Sequence, residues 1–120
     1  MTTPPGWPRA VPDPAAPEFA ERAVAWLLDL CPPDYRSHEV LRRHPVILAR
    51  LAHRHAEASL SAARDGYAGA RRDLAGRVPP EAVDEALAAL SRSGALLAAQ
   101  LREVNLVEEA LAGRRWRPRL

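Results

Sequence analysis

The sequence has 120 residues, enough for one domain with a modest hydrophobic core. Apolar residues make up 48% of it but aromatic residues only 5%, so alanine and aliphatic side chains must supply the core, which favours helices over strands. All 17 basic residues are arginine, and four of them lie in residues 114–120. The rest of the chain has 13 arginines against 15 acidic residues, a net charge of −2, which argues against a chain that is basic throughout.

Residues 1–16 form a proline-rich N-terminal arm that cannot sustain a helix and favours an extended, polyproline-like conformation. Trp7 leaves two alternatives open, an arm docked on the body or a disordered arm. A single cysteine, Cys31, excludes an intramolecular disulfide and is typical of a reducing compartment. No apolar run is long enough for a signal peptide or a membrane span, so the sequence predicts a soluble, cytoplasmic protein.

The first two predicted helices are short. One covers residues 17–30 and ends at the Cys-Pro-Pro triplet that follows. The other covers residues 37–43, with Ser37 as its N-cap and with Val40 and Leu41 facing inward. The apolar stripe of the first helix consists of Phe19, Ala23, Trp26, Leu27 and Leu30.

Two long helices are predicted between Pro45 and Ala75 and between Pro80 and Gly113. Apolar residues in both follow alternating steps of three and four, the spacing of a left-handed coiled-coil seam. The predicted seam of the first consists of Val46, Ala49, His53, Ala56, Leu60, Ala63, Tyr67, Ala70 and Leu74. The predicted seam of the second consists of Val83, Leu87, Leu90, Gly94, Leu97, Leu101, Val104, Glu108 and Leu111.

These elements predict an all-α fold, a long antiparallel helical hairpin with the N-terminal helix and the short second helix packed at one end. The domain organisation is an arm (1–16), a helical domain (17–113) and a basic C-terminal tail (114–120). Gly94 is expected to allow close approach of the two long helices. Five apolar residues flank the predicted seams and need a second surface, which predicts a homodimer; they are Leu48, Leu51, Leu96, Leu106 and Val107.

The stretch LAHRHAE contains two histidines and a glutamate within residues 51–57. On a helix His53 and His55 point apart, whereas His53 and Glu57 share one face. We interpret His53 as a seam histidine hydrogen-bonded near Val104 and Asn105. The alternatives are a pH-sensitive interface and a metal site completed by an acid of the opposite helix, although two ligands from one helix are too few for zinc.

Ionisable residues also concentrate at residues 34–44, where prolines interrupt the predicted helices. They could line a polar pocket or simply cap helices and form surface pairs; the candidates are Asp34, Arg36, His38, Arg42 and Arg43. Cys31 with His38 as its base is a possible nucleophile. However, a helix C-terminus disfavours a thiolate, so a small buried residue is the preferred interpretation.

No phosphate-binding loop, dinucleotide fingerprint, nucleophile elbow, metalloprotease helix or Cys-x-x-Cys motif occurs in the sequence. We therefore expect a non-enzymatic protein with no metal and no cofactor. The segments WLLDLCPPDYRSHEVLRRHPVILARLA and LVEEALAGRRWRPRL resemble uncharacterised small, Ala- and Arg-rich helical proteins of actinobacteria. The resemblance implies a bacterial cytosolic protein and adds no catalytic residue.

The sequence favours a helical protein-interaction module, an adaptor or regulator that forms a homodimer and binds an unidentified protein. The alternative is a small nucleic-acid-associated protein that uses its arginine-rich tail. The tail itself leaves three possibilities, which are docking on the body, binding a protein partner and binding nucleic acid. Its candidate partner-binding residues are Arg114, Arg115, Trp116, Arg117 and Arg119.

Overall fold

The computed structural model describes residues 3–114 and 116–118. Within that part of the chain the fold is all-helical and contains no strand. Four α-helices follow one another, α1 (Phe19–Asp29), α2 (Glu39–Arg43), α3 (Pro45–Leu74) and α4 (Pro80–Leu111). A 3-10 turn (Pro33–Ser37) separates α1 from α2.

The proline positions explain where the long helices begin. Pro45 and Pro80 occupy the first turns of α3 and α4, where a missing N–H costs no hydrogen bond. Gly76 lies in the turn between the two helices with φ +74°, a conformation that side-chain-bearing residues rarely adopt. The helix boundaries predicted from these residues are confirmed to within one or two positions.

Helices α3 and α4 pack against each other along their length. Near the connecting turn, the Arg71 guanidinium lies 3.2 Å from the Asp84 carboxylate. Further along, the side chain of Leu90 lies against Gly66. At the far end, His53 contacts Glu108.

The main core lies where α1 and the arm cover the end of this helix pair. We call this end the proximal half, residues 45–56 of α3 and 100–111 of α4. Side chains from five segments meet there; the buried members are Val11, Phe19, Ala23, Leu27, Leu28, Leu41, Leu48, Ala49, Ala52, Val104, Val107 and Ala110.

The other half of the pair, residues 57–74 of α3 and 80–99 of α4, is the distal half. Its core cluster contains residues of α3 and α4 alone, namely Ala70, Val83 and Leu87 with Leu74 and Leu90 packed against them. The sequence predicted that Leu48, Leu106 and Val107 would need a second surface. That expectation is wrong for Leu48 and Val107, because α1 and its neighbours bury both within the chain, and Leu106 is half-buried.

The arm is folded rather than extended. Trp7 donates its backbone N–H to the Pro4 carbonyl, and Gly6 between them has φ +86°, which is the turn that a Pro-Gly pair favours. Pro8 and Val11 are buried. The prediction of an extended, polyproline-like arm is therefore wrong, because turn-forming residues return the chain onto the core.

The short helix also differs from its prediction. Ser37 does not cap it; this residue ends the 3-10 turn, and its hydroxyl donates to the Asp34 carbonyl at 2.8 Å. The helix starts at Glu39 and presents only one residue to the core. Leu41 is 4% exposed whereas Val40 is 42% exposed, since a helix of five residues has a single inward position here.

Candidate functional site

A polar cluster lies at the α3–α4 contact in the proximal half. The Nδ1 atom of His53 lies 3.0 Å from Oε1 of Glu108, and the Arg50 Nε lies 3.3 Å from the other carboxylate oxygen. On the solvent side, Nε2 of His53 lies 3.6 Å from Glu57. The side chains of His53 and Glu108 are only 16% and 15% exposed, so this contact is largely removed from water.

This geometry gives the seam histidine one hydrogen bond, through Nδ1. The partner is Glu108, one turn beyond the Val104 and Asn105 positions predicted from the sequence. Arg50 compensates the charge of Glu108, which lowers the cost of a half-buried carboxylate. Within residues 3–114 and 116–118, no group of three or more His, Cys, Asp or Glu side chains is arranged to hold a metal ion.

The predicted polar pocket at residues 34–44 is brought together only in part. Arg36 pairs with Asp29 at 2.6 Å, and the Arg42 guanidinium donates to the Arg36 carbonyl. These two arginines line a cavity of about 460 Å³ against α1. The other three predicted residues, Asp34, His38 and Arg43, are exposed and do not line that cavity.

Cys31 follows α1 directly and is half-buried. Burial raises the pKa of its thiol above the ordinary value of 9.0, and the nearby Arg36 charge offsets only part of that effect. A raised pKa disfavours the thiolate, the form that acts as a nucleophile. The environment of Cys31 therefore matches a structural residue better than a reactive one.

The beginning of the tail stays close to the body. Arg114 donates its backbone N–H to the Glu109 carbonyl at 3.0 Å, and its guanidinium lies 3.9 Å from the Glu109 carboxylate. Trp116 and Arg117 line a cavity together with Trp7 of the arm. The predicted residues Arg115 and Arg119, like Leu120, lie outside the described residues. Sequence reasoning did not identify the arm as the neighbour of the tail, although each segment carries a tryptophan.

A further candidate surface is a stripe along α4. Alternating steps of four and three place one set of residues on a single side of the helix, with Glu103 as its one charged member. We call this set the α4 stripe: Ala82, Ala86, Ala89, Ser93, Leu96, Gln100, Glu103, Val107 and Ala110. Val107 is fully buried and Ala110 is nearly so, both in the core that contains residues of α1 and the arm. Ala89, Ser93 and Leu96, further toward the turn, are exposed, and Leu96 keeps 61% of its surface in water.

Sequence reasoning identified only Leu96 and Val107 of this stripe as flanking residues. The signal that would have found the rest is the run of uncharged residues at successive heptad positions from Ala82 to Gln100. On α3, heptad spacing places the uncharged residues Ser59 and Ala62 on the same side of the helix as the buried pair Leu48 and Ala52.

No family model, curated protein or solved structure matches this chain. Among the described residues, no helix is both long enough and apolar enough to cross a membrane.

Proposed function

We propose that this chain is a non-enzymatic helical interaction module, an adaptor or regulator that works as a homodimer. Its framework is an antiparallel hairpin of α3 and α4 with a coiled-coil-like seam. Three contacts support that arrangement: Arg71 with Asp84, Gly66 with Leu90, and His53 with Glu108. As the residue number on α3 falls, the number of the contacted residue on α4 rises.

The observation that carries the proposal is the uneven covering of the α4 stripe. At the proximal end Val107 is buried in the core that contains α1, whereas at the distal end Ala89, Ser93 and Leu96 on the same side of the helix are exposed. A stripe that stays uncharged beyond the point where α1 stops is expected of a surface that packs against something else. A second copy presents an identical stripe, so two distal halves would pack about a two-fold axis as four helices.

The overall shape supports this argument. The chain exposes 8105 Å², whereas a compact monomer of 13.2 kDa is expected to expose about 6,400 Å². Its radius of gyration is 17.6 Å, against about 13.6 Å for a compact domain of this length. The excess surface is about twice the ~800 Å² that each partner buries in a standard interface.

The composition of the stripe sets the expected strength. Alanine and serine allow the helices to approach closely but bury little apolar area, and Leu96 is the one large exposed side chain of the stripe. We therefore expect a dimer that forms in the micromolar range rather than an obligate one.

The test is Leu96→Glu, which places a charge in the middle of the proposed interface. Sedimentation equilibrium over the micromolar range should give a dimer mass for the unmodified chain and a monomer mass for the variant, because two buried carboxylates would face each other across the axis. The matched control is Ile47→Glu, an exposed apolar residue of α3 in the proximal half, which should leave the dimer intact. A monomer mass for the unmodified chain at every concentration would overturn the proposal.

A further inference from the structure

One cavity lies at the opposite end of the molecule from the exposed part of the α4 stripe. Its volume is about 540 Å³, within the range of small-molecule sites. Three segments build it, the N-terminal arm, the last two turns of α4 and the tail. The apolar part of the lining comes from Pro4, Trp7, Pro14, Ala15, Leu106, Ala110 and Trp116.

One wall of this cavity is fixed. The Nε1 of Trp7 donates to the Val11 carbonyl at 2.8 Å, and its ring lies 6.2 Å from the ring of Phe19, centroid to centroid. Trp116 supplies a second indole from the tail. Two indoles with prolines beside them form a surface that suits an apolar or aromatic group of a ligand.

The charged part of the lining consists of two acids and two arginines. Glu109 and Arg114 are already paired with each other at 3.9 Å. Asp13 uses Oδ1 to accept the Ala15 N–H at 2.8 Å, but its Oδ2 is buried and has no hydrogen-bond donor among the described residues. Arg117 has no acidic partner among the described residues either.

The cavity lining thus carries one unpaired carboxylate and one unpaired guanidinium that are not paired with each other. We propose that this cavity binds a small zwitterion with an apolar body, of the chemical class of a short peptide with free termini. The ligand's ammonium group would pair with Asp13, its carboxylate with Arg117, and its side chains would lie against the two indoles. Entry requires the residues that cover Oδ2 to move aside.

The test is isothermal titration calorimetry of the full chain with the dipeptide leucyl-phenylalanine. Two matched probes each lack one charge, the N-acetylated dipeptide and the C-terminal amide. A ligand of this size is expected to bind with a Kd on the order of 1 mM. Each blocked form should bind about tenfold more weakly, because each loses one charge-assisted hydrogen bond.

Two variants of the cavity test which residue binds the ammonium group of the ligand and which binds its carboxylate. In Asp13→Asn, which keeps the oxygen that accepts the Ala15 N–H, the free and N-acetylated dipeptides should bind alike. In Arg117→Gln, the free dipeptide and its amide should bind alike. The control variants Asp65→Asn and Arg64→Gln, in the distal half, should leave all three affinities unchanged.

Two outcomes would overturn the proposal. The site is excluded if the free dipeptide gives no saturable heat up to about 10 mM. The assignment of charges is excluded if the three probes bind equally, or if neither cavity variant changes their order. Circular dichroism of each variant shows whether a lost affinity reflects a lost fold.

Discussion

The proximal and distal halves of the α3–α4 pair are built from the same two helices and the same heptad spacing, yet they differ in burial. In the proximal half, Leu48, Val104 and Val107 are completely buried. In the distal half, Val83 and Leu87 keep a small part of their surface in water, and Leu96 is mostly exposed. The difference shows that the heptad pattern positions two helices side by side, whereas complete burial requires a third element.

The length of α1 sets the border between the halves. Its 11 residues span about 16 Å, whereas the 32 residues of α4 span about 48 Å. Pro32 and Pro33 prevent α1 from continuing along the pair. The prolines that end one helix therefore leave part of another helix uncovered.

The largest difference between the halves is expected for leucine truncation. Leu48→Ala should lower the free energy of unfolding by about 3 to 5 kcal/mol, because it opens a cavity in a closed core. Leu96→Ala should lower it by less than about 1 kcal/mol at concentrations too low for self-association. Urea unfolding followed by circular dichroism measures both, and equal losses would contradict the distinction between the halves.

The arm belongs to the proximal core, so its buried residues should also contribute to stability. Trp7→Ala should cost about 2 to 3 kcal/mol, because the indole is half-buried against Phe19 and donates a hydrogen bond. Trp116→Ala is the control, with a cost below about 1 kcal/mol for its more exposed indole. Thermal melting measures both changes. An unchanged Tm for Trp7→Ala would mean that the arm does not stabilise the core.

The distal half should tolerate added volume. A Cβ atom at Gly94 would meet nothing within 4 Å, so this glycine does not serve close helix approach as the sequence predicted. Gly94→Ala should raise the free energy of unfolding by about 0.5 to 1 kcal/mol through helix propensity. Gly113→Ala should instead lower it, because Gly113 has φ +87°. Denaturant titrations of the two variants measure whether each substitution raises or lowers the free energy of unfolding.

The polar cluster is expected to contribute little to stability. In His53→Leu, Glu108 keeps its ion pair with Arg50, and an apolar side chain suits the seam, so the free energy of unfolding should change by less than about 1 kcal/mol. Added zinc should not raise the Tm of the unmodified chain. A zinc-dependent rise in Tm that the variant loses would instead assign a metal to His53.

The smallest effect is expected from Cys31, at the end of α1. Because burial raises the pKa of its thiol, the folded chain keeps this proton at a pH where the unfolded chain releases it. This contribution to stability is present below pH 9.0 and is lost as the pH rises above that value. The melting temperature of Cys31→Ser should therefore fall less steeply above pH 9.0 than that of the unmodified chain.

Local sequence was sufficient to predict the two long helices, whereas the start of the short helix α2 was misplaced. Pro45, Pro80 and Gly76 act through their own backbone geometry, so the ends of α3 and α4 follow from residue type alone. The placement of His53 on the helix contact followed from spacing, because residues on one side of a helix recur every three or four positions.

Which apolar residues are covered depends on contacts between helices and does not follow from residue type. Leu48 and Leu51 have the same side chain three positions apart on α3, but α1 covers the first and leaves the second partly in water. The same holds for the cavity, whose walls come from both ends of the chain. Contacts between segments distant in sequence depend on how α1 and the arm pack, and helical periodicity carries no information about that packing.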